Sequence, residues 1–276
     1  NRLERVFECA TAEDILVIPA FGLPISFDRE LRRRFAESRI LDTTCRYVKR
    51  IWRFVGEKAA SGYAVIIHGK PNHPETLATC SRAQVYGHGV MLVPSIEHAE
   101  ALASCLESLD VGSYPAELMV DADGLEPRRV ALVNQTTMLY SETRRIEQIL
   151  RPAITSAGGE LDVADTVCSA TQQRQDAALR LTRQECDLTL VVGGYGSSNT
   201  NQLFRLAKAE GPAYFVAGAA ALERETIRHY DPALRKEFVT RDWLSPGAKD
   251  IAILAGASCP AIDVGNVIRR FREWGE

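Results

Sequence analysis

Two corners of the same form constrain this chain more than anything else in it. Asp42-Thr43-Thr44-Cys45 and Asp165-Thr166-Val167-Cys168 each follow a short β-like run, Arg39 to Leu41 and Gly159 to Val163. Each leads into a helix-like run, Tyr47 to Lys58 in one case and Gln175 to Gln184 in the other. A cysteine at the head of a helix faces backbone N–H groups that favour its thiolate, so both are candidate ligands or nucleophiles. Each helix is followed by an apolar strand, a polar glycine-containing loop and another helix. Ala64-Val65-Ile66-Ile67 runs into the loop His68 to Glu75, and Leu188-Thr189-Leu190-Val191-Val192 runs into Gly193 to Asn199. The pattern predicts at least two copies of one αβ module. Each offers a cysteine and a polar loop at the C-terminal ends of parallel strands, where open α/β sheets bind ligands.

Three more units have the same order. The run Asp14 to Pro19 leads to Ala20-Phe21-Gly22-Leu23-Pro24 and a helix from Asp28 to Ala36. Arg129 to Val133 leads to Asn134-Gln135-Thr136-Thr137 and a helix from Ser141 to Leu150. Asp250 to Leu254 leads to Ala255-Gly256-Ala257-Ser258-Cys259-Pro260 and a helix from Ala261 to Trp274. Between them the pattern predicts a strand over Tyr86 to Pro94 and a helix over Ser95 to Ser108, with Ser95 as its cap. It also predicts a loop-rich connection over Val111 to Glu126, a helix from Ala219 to Arg224 or beyond, and a turn at Trp243-Leu244-Ser245-Pro246. Helix N-termini carrying small hydroxyl and amide side chains make anion sites, and phosphate is the commonest anion so held. The Gly193–Asn199 loop lacks the G-x-G-x-x-G spacing of a dinucleotide site. Helix capping is the competing reading for Asn134 to Thr137, and His73-Pro74-Glu75 taken alone reads as a solvated turn.

At 46% hydrophobic and 25% charged residues, the 276-residue chain has the composition of a core-forming globular protein. Its net charge of −3, with no dense lysine and arginine block, makes nucleic acid an unexpected partner. No stretch approaches the ~18 uncharged apolar residues of a membrane span. The seven cysteines include no C-x-x-C pair, so neither a disulfide framework nor a zinc ribbon is indicated. Reduced thiols or an iron–sulfur site remain, and an intracellular location is expected.

Five motifs taken together resemble the 4-hydroxy-3-methylbut-2-enyl diphosphate reductase (IspH/LytB) family. They are Asp165-Thr166-Val167-Cys168-x-Ala170-Thr171-x-x-Arg174-Gln175, Gln135-Thr136-Thr137, Gly196-Ser197-Ser198-Asn199, Ala255-Gly256-Ala257-Ser258 and His73-x-Glu75. They follow the family's order from about Ile15 to Trp274, and Ala20-Phe21-Gly22 resembles the branch of photosynthetic lineages and their bacterial relatives. The resemblance implies an α/β fold of three pseudo-repeated αβ modules, parallel sheets flanked by helices, in a trefoil around a central cluster cavity. The modules are expected at 1–40 (the remainder of the first, with the C-terminal helix packed on it), 41–150 and 151–276.

The resemblance further implies a [4Fe–4S] cluster with one cysteine from each module, Cys45 and Cys168 matching two of them. The third belongs to a segment of the first module expected to lie before Asn1. Arg46 stands where the family has proline. Glu75 and Thr136 match the catalytic pair that delivers a proton, and His73, Ser197, Ser198, Asn199 and Ser258 match the residues that hold the substrate diphosphate. The implied reaction is the reductive dehydroxylation that ends the MEP isoprenoid pathway, giving isopentenyl and dimethylallyl diphosphate. Its implied partners are the diphosphate substrate and an electron donor such as ferredoxin or flavodoxin. Its implied location is the cytoplasm, or the plastid stroma in a plant or alga. Cys9, Cys80, Cys105, Cys186 and Cys259 match no family cysteine and read as small hydrophobes. Two other readings stand beside this one: a diverged homologue that binds diphosphate without turnover, and an α/β hydrolase or transferase using Cys168 as nucleophile.

Overall fold

The computed structural model describes residues 2–108, 110–121, 128–164, 166, 168–184 and 186–275. The chain forms two compact units, Asn1–Val167 and Cys168–Glu276, so the division falls inside the second cysteine corner.

In the first unit, α1 (Arg2–Cys9) precedes β1 (Leu16–Ile18), and α2 (Ile25–Arg34) connects β1 to β2 (Ile40–Asp42). The two strands pair in parallel, with Leu16 opposite Ile40. Next come α3 (Arg46–Ala60), β3 (Ala64–His68), α4 (Pro74–Ala83), β4 (Val90–Leu92) and α5 (Ile96–Glu107). They are followed by β5 (Met119–Asp121), β6 (Arg129–Asn134), α6 (Tyr140–Ser156) and β7 (Glu160–Val163). A five-stranded sheet results, in the order β5-β4-β3-β6-β7, parallel throughout except for the edge strand β5. Every residue of β3 and β4, and all of β6 but Arg129, is buried. Continuous apolar runs of this kind are what a parallel sheet needs when helices cover it. Ile51 and Val55 of α3, Leu102 of α5 and Ile146 and Leu150 of α6 share one core with Ile66 and Leu132.

The second unit comprises α7 (Ser169–Thr182), β8 (Leu188–Val192), α8 (Ser198–Glu210), β9 (Ala213–Val216), β10 (Thr226–Asp231), β11 (Lys236–Arg241), β12 (Ile251–Ala255) and α9 (Ala261–Gly275). Its parallel sheet has the order β12-β8-β9, while β10 and β11 form an antiparallel hairpin. The expected class, α/β with parallel sheets flanked by helices, is borne out.

Several local expectations change. The helix expected from Ala219 is a single 3₁₀ turn, Ala219–Ala221, after which the chain enters the β10–β11 hairpin. The strand expected over Tyr86 to Pro94 shortens to β4, because Gln84–Tyr86 is a 3₁₀ turn ended by Gly87 at φ 64. Ser95 holds the N-cap position of α5, yet its hydroxyl turns to Glu97 and His98 instead of a backbone N–H. The connection after α5 contains two 3₁₀ turns, Val111–Ser113 and Ala116–Leu118, and strand β5, with 122–127 outside the described residues. The turn expected at Trp243 to Pro246 lies two residues later, closed by Ala248 N–H donating to the Ser245 carbonyl at 3.0 Å, while Trp243 is buried beside Tyr214, Phe271 and Trp274, its indole N–H donating to the Glu223 carbonyl at 3.0 Å.

Candidate active site

Both cysteine corners are built in one way. Cys45 is the N-cap residue of α3 and Cys168 that of α7, with similar backbone angles (φ −59, ψ 139 and φ −65, ψ 127) and no side-chain capping bond. Both thiols are free and half-buried. In each corner the threonine two residues before the cysteine ties the turn to the neighbouring parallel strand. Thr43 donates its N–H (3.1 Å) and hydroxyl (2.5 Å) to the Ile18 carbonyl at the end of β1. Thr166 donates its hydroxyl to Asn134 Oδ1 (2.6 Å) at the end of β6. Asp42 accepts from Thr44 N–H (2.9 Å) and from Lys49 Nζ (2.8 Å). Burial pushes its carboxyl up, but Lys49 and Thr44 prevail and hold it at about 2. Asp165 lies outside the described residues. Arg46 is the first residue of α3, a position whose N–H has no helical partner. That is why proline suits it and why another residue is tolerated there.

A chain of contacts leads from the first corner to Glu75. Cys45 N–H donates to the Ala20 carbonyl at 2.8 Å, and the adjacent Phe21 ring lies edge-on to His73, 6.3 Å between centroids. His73 is the N-cap of α4, Nδ1 accepting the Glu75 N–H at 3.2 Å, with Pro74 at the first helical position. Accepting at Nδ1 puts the imidazole proton on Nε2. Burial, helped by the charge of Lys70, lowers the pKa of this histidine to about 4, so the ring is a neutral donor.

Glu75 is only 3% exposed. Thr136, in the loop after β6, donates its N–H to Oε1 (2.6 Å) and its hydroxyl to Oε2 (2.8 Å). Burial raises the carboxyl pKa, and the two Thr136 bonds oppose the rise. Gln135 braces the loop: its Oε1 accepts from Lys70 N–H (3.1 Å) and Thr76 hydroxyl (3.3 Å), and its Nε2 donates to Thr137 Oγ1 (2.6 Å). The capping reading of Asn134 to Thr137 therefore fails, since α6 is capped at Leu139 without a side-chain bond. The solvated-turn reading of Glu75 fails on its burial.

In the second unit Ser197 caps α8, accepting from Thr200 N–H at 3.3 Å. The hydroxyl of Ser258, exposed in the loop after β12, lies 3.4 Å from Ser197 Oγ. Asn199 is 5% exposed, and neither its Oδ1 nor its Nδ2 has a hydrogen-bond partner. A buried amide without partners is costly, and at a helix N-terminus it is a ready place for an anionic ligand. Cys168 heads a different helix from this loop.

The chain matches the LytB protein family over residues 2–272. It belongs to that family. Among relatives, the 4-hydroxy-3-methylbut-2-enyl diphosphate reductase of Gloeobacter violaceus (strain ATCC 29082 / PCC 7421) is 35% identical, the alignment covering 99% of this chain and 67% of that protein. The chloroplastic reductase of Botryococcus braunii is 33% identical over 95% of this LytB-family chain and 55% of its own length. Among solved structures, the E-1-hydroxy-2-methyl-but-2-enyl-4-diphosphate reductase from Plasmodium falciparum has a TM-score of 0.70 at 20% identity, covering 96% of this chain and 69% of that one. That likeness shows a shared fold.

Two threonines escaped the sequence reading. Thr76 and Thr200 each stand seven residues after the glycine that ends the preceding strand, Gly69 and Gly193, and three after the helix cap. A Cβ on Gly69 would lie 2.7 Å from Thr76 Oγ1, and one on Gly193 3.0 Å from Thr200 Oγ1. The signal was the matching spacing, Gly-x₆-Thr, in the two loops. In that register Glu75 and Asn199 are equivalent positions.

Proposed function

We propose that this chain carries the reductive dehydroxylation of 4-hydroxy-3-methylbut-2-enyl diphosphate to isopentenyl and dimethylallyl diphosphate. The observation that supports it most is the Glu75 carboxyl, buried, raised in pKa and hydrogen-bonded through both oxygens to Thr136. Family membership and the names of the relatives agree with it. The reaction consumes two electrons and two protons, breaks the allylic C–O bond and releases water. Glu75 supplies a proton, passed through the Thr136 hydroxyl toward the substrate oxygen. The neutral His73, with Ser197, Ser198, Asn199 and Ser258, holds the diphosphate.

The donor set fits a [4Fe–4S] cluster, since Cys45 and Cys168 are free, partly accessible thiols, each at the head of a helix. Burial pushes the thiol of Cys80 up to about 12, which leaves it a poor ligand. Among the described residues no three His, Cys, Asp or Glu side chains form a metal-binding group, so a further ligand is part of this reading. When bound, the cluster would relay the external donor's two electrons one at a time and offer a Lewis-acidic iron. On the same reading the modules are 1–40, 41–150 and 151–276, and the electron donor is a ferredoxin- or flavodoxin-type carrier. The setting is cytoplasm or plastid stroma; no described helix is long and apolar enough to cross a membrane.

The test is anaerobic turnover by the full-length protein of 4-hydroxy-3-methylbut-2-enyl diphosphate with reduced viologen dye, alongside Cys45→Ser and Cys168→Ser variants. The parent should be brown and active, and each variant should lose most of its iron. A colourless parent, or full iron in both variants, would exclude the cluster.

A further inference from the structure

We propose that Thr200 is a positioning residue for diphosphate binding, acting through the hydroxyl of Ser197; the proposal rests on the reading of the Ser197–Asn199 loop given above. Thr200 is fully buried. It donates to Ser197 Oγ twice, through its N–H at 3.3 Å and through its hydroxyl at 2.9 Å. A serine oxygen has two lone pairs and one hydrogen. With both lone pairs taken by Thr200, the Ser197 hydrogen is turned away from the helix to the side on which Ser258 stands, and Ser197 acts there as a donor. Donors are what a diphosphate oxygen requires, whereas a freely rotating serine would present lone pairs to it part of the time.

The Thr200 side chain is itself fixed. A Cβ on Gly256 would fall 2.0 Å from Thr200 Oγ1, and Gly193 closes on it from the other strand. Two glycine backbones, at the ends of β8 and β12, therefore clamp the threonine in one rotamer. The same clamp sets the distance of the Gly256–Ser258 loop from α8, and with it the 3.4 Å approach of Ser258 to Ser197. The partnerless carboxamide of Asn199, one residue earlier, is an independent sign that this helix end is arranged for a ligand. In the first unit the equivalent Thr76 makes a different choice and donates to Gln135 Oε1, bracing the neighbour of Thr136. A threonine at the third helical position thus supports the working residues of each loop from below.

The experiment uses the full-length protein with Thr200→Val, Thr200→Ser, Ser197→Ala and the Ser197→Ala/Thr200→Val double variant. Inorganic pyrophosphate binding is measured by calorimetry, KM and kcat by reductase assay, and folding by thermal melting. Thr200→Val should weaken pyrophosphate binding and raise KM about tenfold with kcat within about twofold, as loss of one bond that orients a donor to a charged group predicts. Thr200→Ser, which keeps the hydroxyl, should stay within about twofold of the parent. Adding Thr200→Val to Ser197→Ala should cost nothing more, the mark of one residue acting through the other. Parent-like pyrophosphate binding by Thr200→Val, equal losses in the serine and valine variants, or full additivity in the double variant each overturns the proposal. A parent that does not bind pyrophosphate overturns instead the diphosphate reading of the loop on which it rests.

Discussion

Thr136 commits both of its donors to Glu75, its N–H to Oε1 and its hydroxyl to Oε2. The backbone N–H cannot turn, so a proton arriving on the carboxyl goes to Oε2, where the Thr136 hydroxyl is free to rotate and accept. Glu75→Gln reproduces that protonated arrangement, with the amide nitrogen in place of the hydroxyl and no proton to transfer. The variant should fold, retain its iron and bind substrate, while kcat falls ~10²–10⁴-fold, as for loss of a general acid. Anaerobic dye oxidation measures it, and turnover within a few-fold of the parent would assign the proton to another source.

Thr136→Val separates the two bonds, because the backbone donor survives and only the hydroxyl is lost. Burial already raises the Glu75 pKa and the Thr136 bonds oppose it, so deleting one raises it further. The limb of the kcat–pH profile that falls as Glu75 ionises should therefore move to higher pH in the variant. kcat itself should drop by a factor on the order of 10² if the hydroxyl relays the proton. An unmoved limb would show that Glu75 is not the group titrating in that profile.

The pair His73 and Glu75 gives stability opposite slopes with pH. The folded-state pKa of Glu75 is raised, so the folded state holds its proton longer than the unfolded chain; that contribution is present at low pH and is lost as pH rises through the folded pKa. His73 is lowered to about 4, so its contribution is complete above the unfolded value of about 6.5 and is lost as pH falls toward 4. Urea unfolding from about pH 4 to pH 8 should show Glu75→Gln losing the descending component. His73→Asn, which keeps a capping side chain, should lose the ascending one. A parent curve identical to both variants would place the two groups in water.

The corners were legible because a repeated D-T-x-C at a strand-to-helix junction has few geometries, and both cysteines sit at the N-cap as their spacing required. The buried strands were legible for the same reason, their apolar runs having no other use. Glu75 was harder. A carboxylate beside proline and histidine reads as surface, and only the loop 61 residues later, which brings Thr136, makes its burial possible. The β10–β11 hairpin was missed because most of its residues are only partly buried and their ring partners lie in distant parts of the chain: Tyr230 stacks on Tyr195, and His229 lies edge-on to Tyr214. Thr76 and Thr200 were missed because their roles depend on glycines seven residues away and, for Thr200, on Gly256 in another loop.

The Ala20–Pro24 loop supplies the carbonyl that anchors Cys45, and its conformation depends on Gly22. That residue sits at φ 75, where a side chain is strained, and a Cβ there would lie 2.1 Å from Trp52 Cη2. Trp52 cannot easily withdraw. The Arg82 guanidinium stacks 3.2 Å above its ring and is tied to the Leu23 carbonyl at 2.8 Å, in a site dry enough that burial lowers Arg82 to about 10. Gly22→Ala therefore adds overlap to backbone strain and should cost about 2–4 kcal/mol. The control is Gly87→Ala, also at positive φ (64) but with open space around it, which carries the strain alone at about 1 kcal/mol. Combining Gly22→Ala with Trp52→Leu should recover the difference between the two, because removing the ring leaves only the backbone term. Urea unfolding of the four proteins decides it: equal costs for the two alanine variants, or no recovery in the pair, would mean that Trp52 does not hold the loop against Cys45.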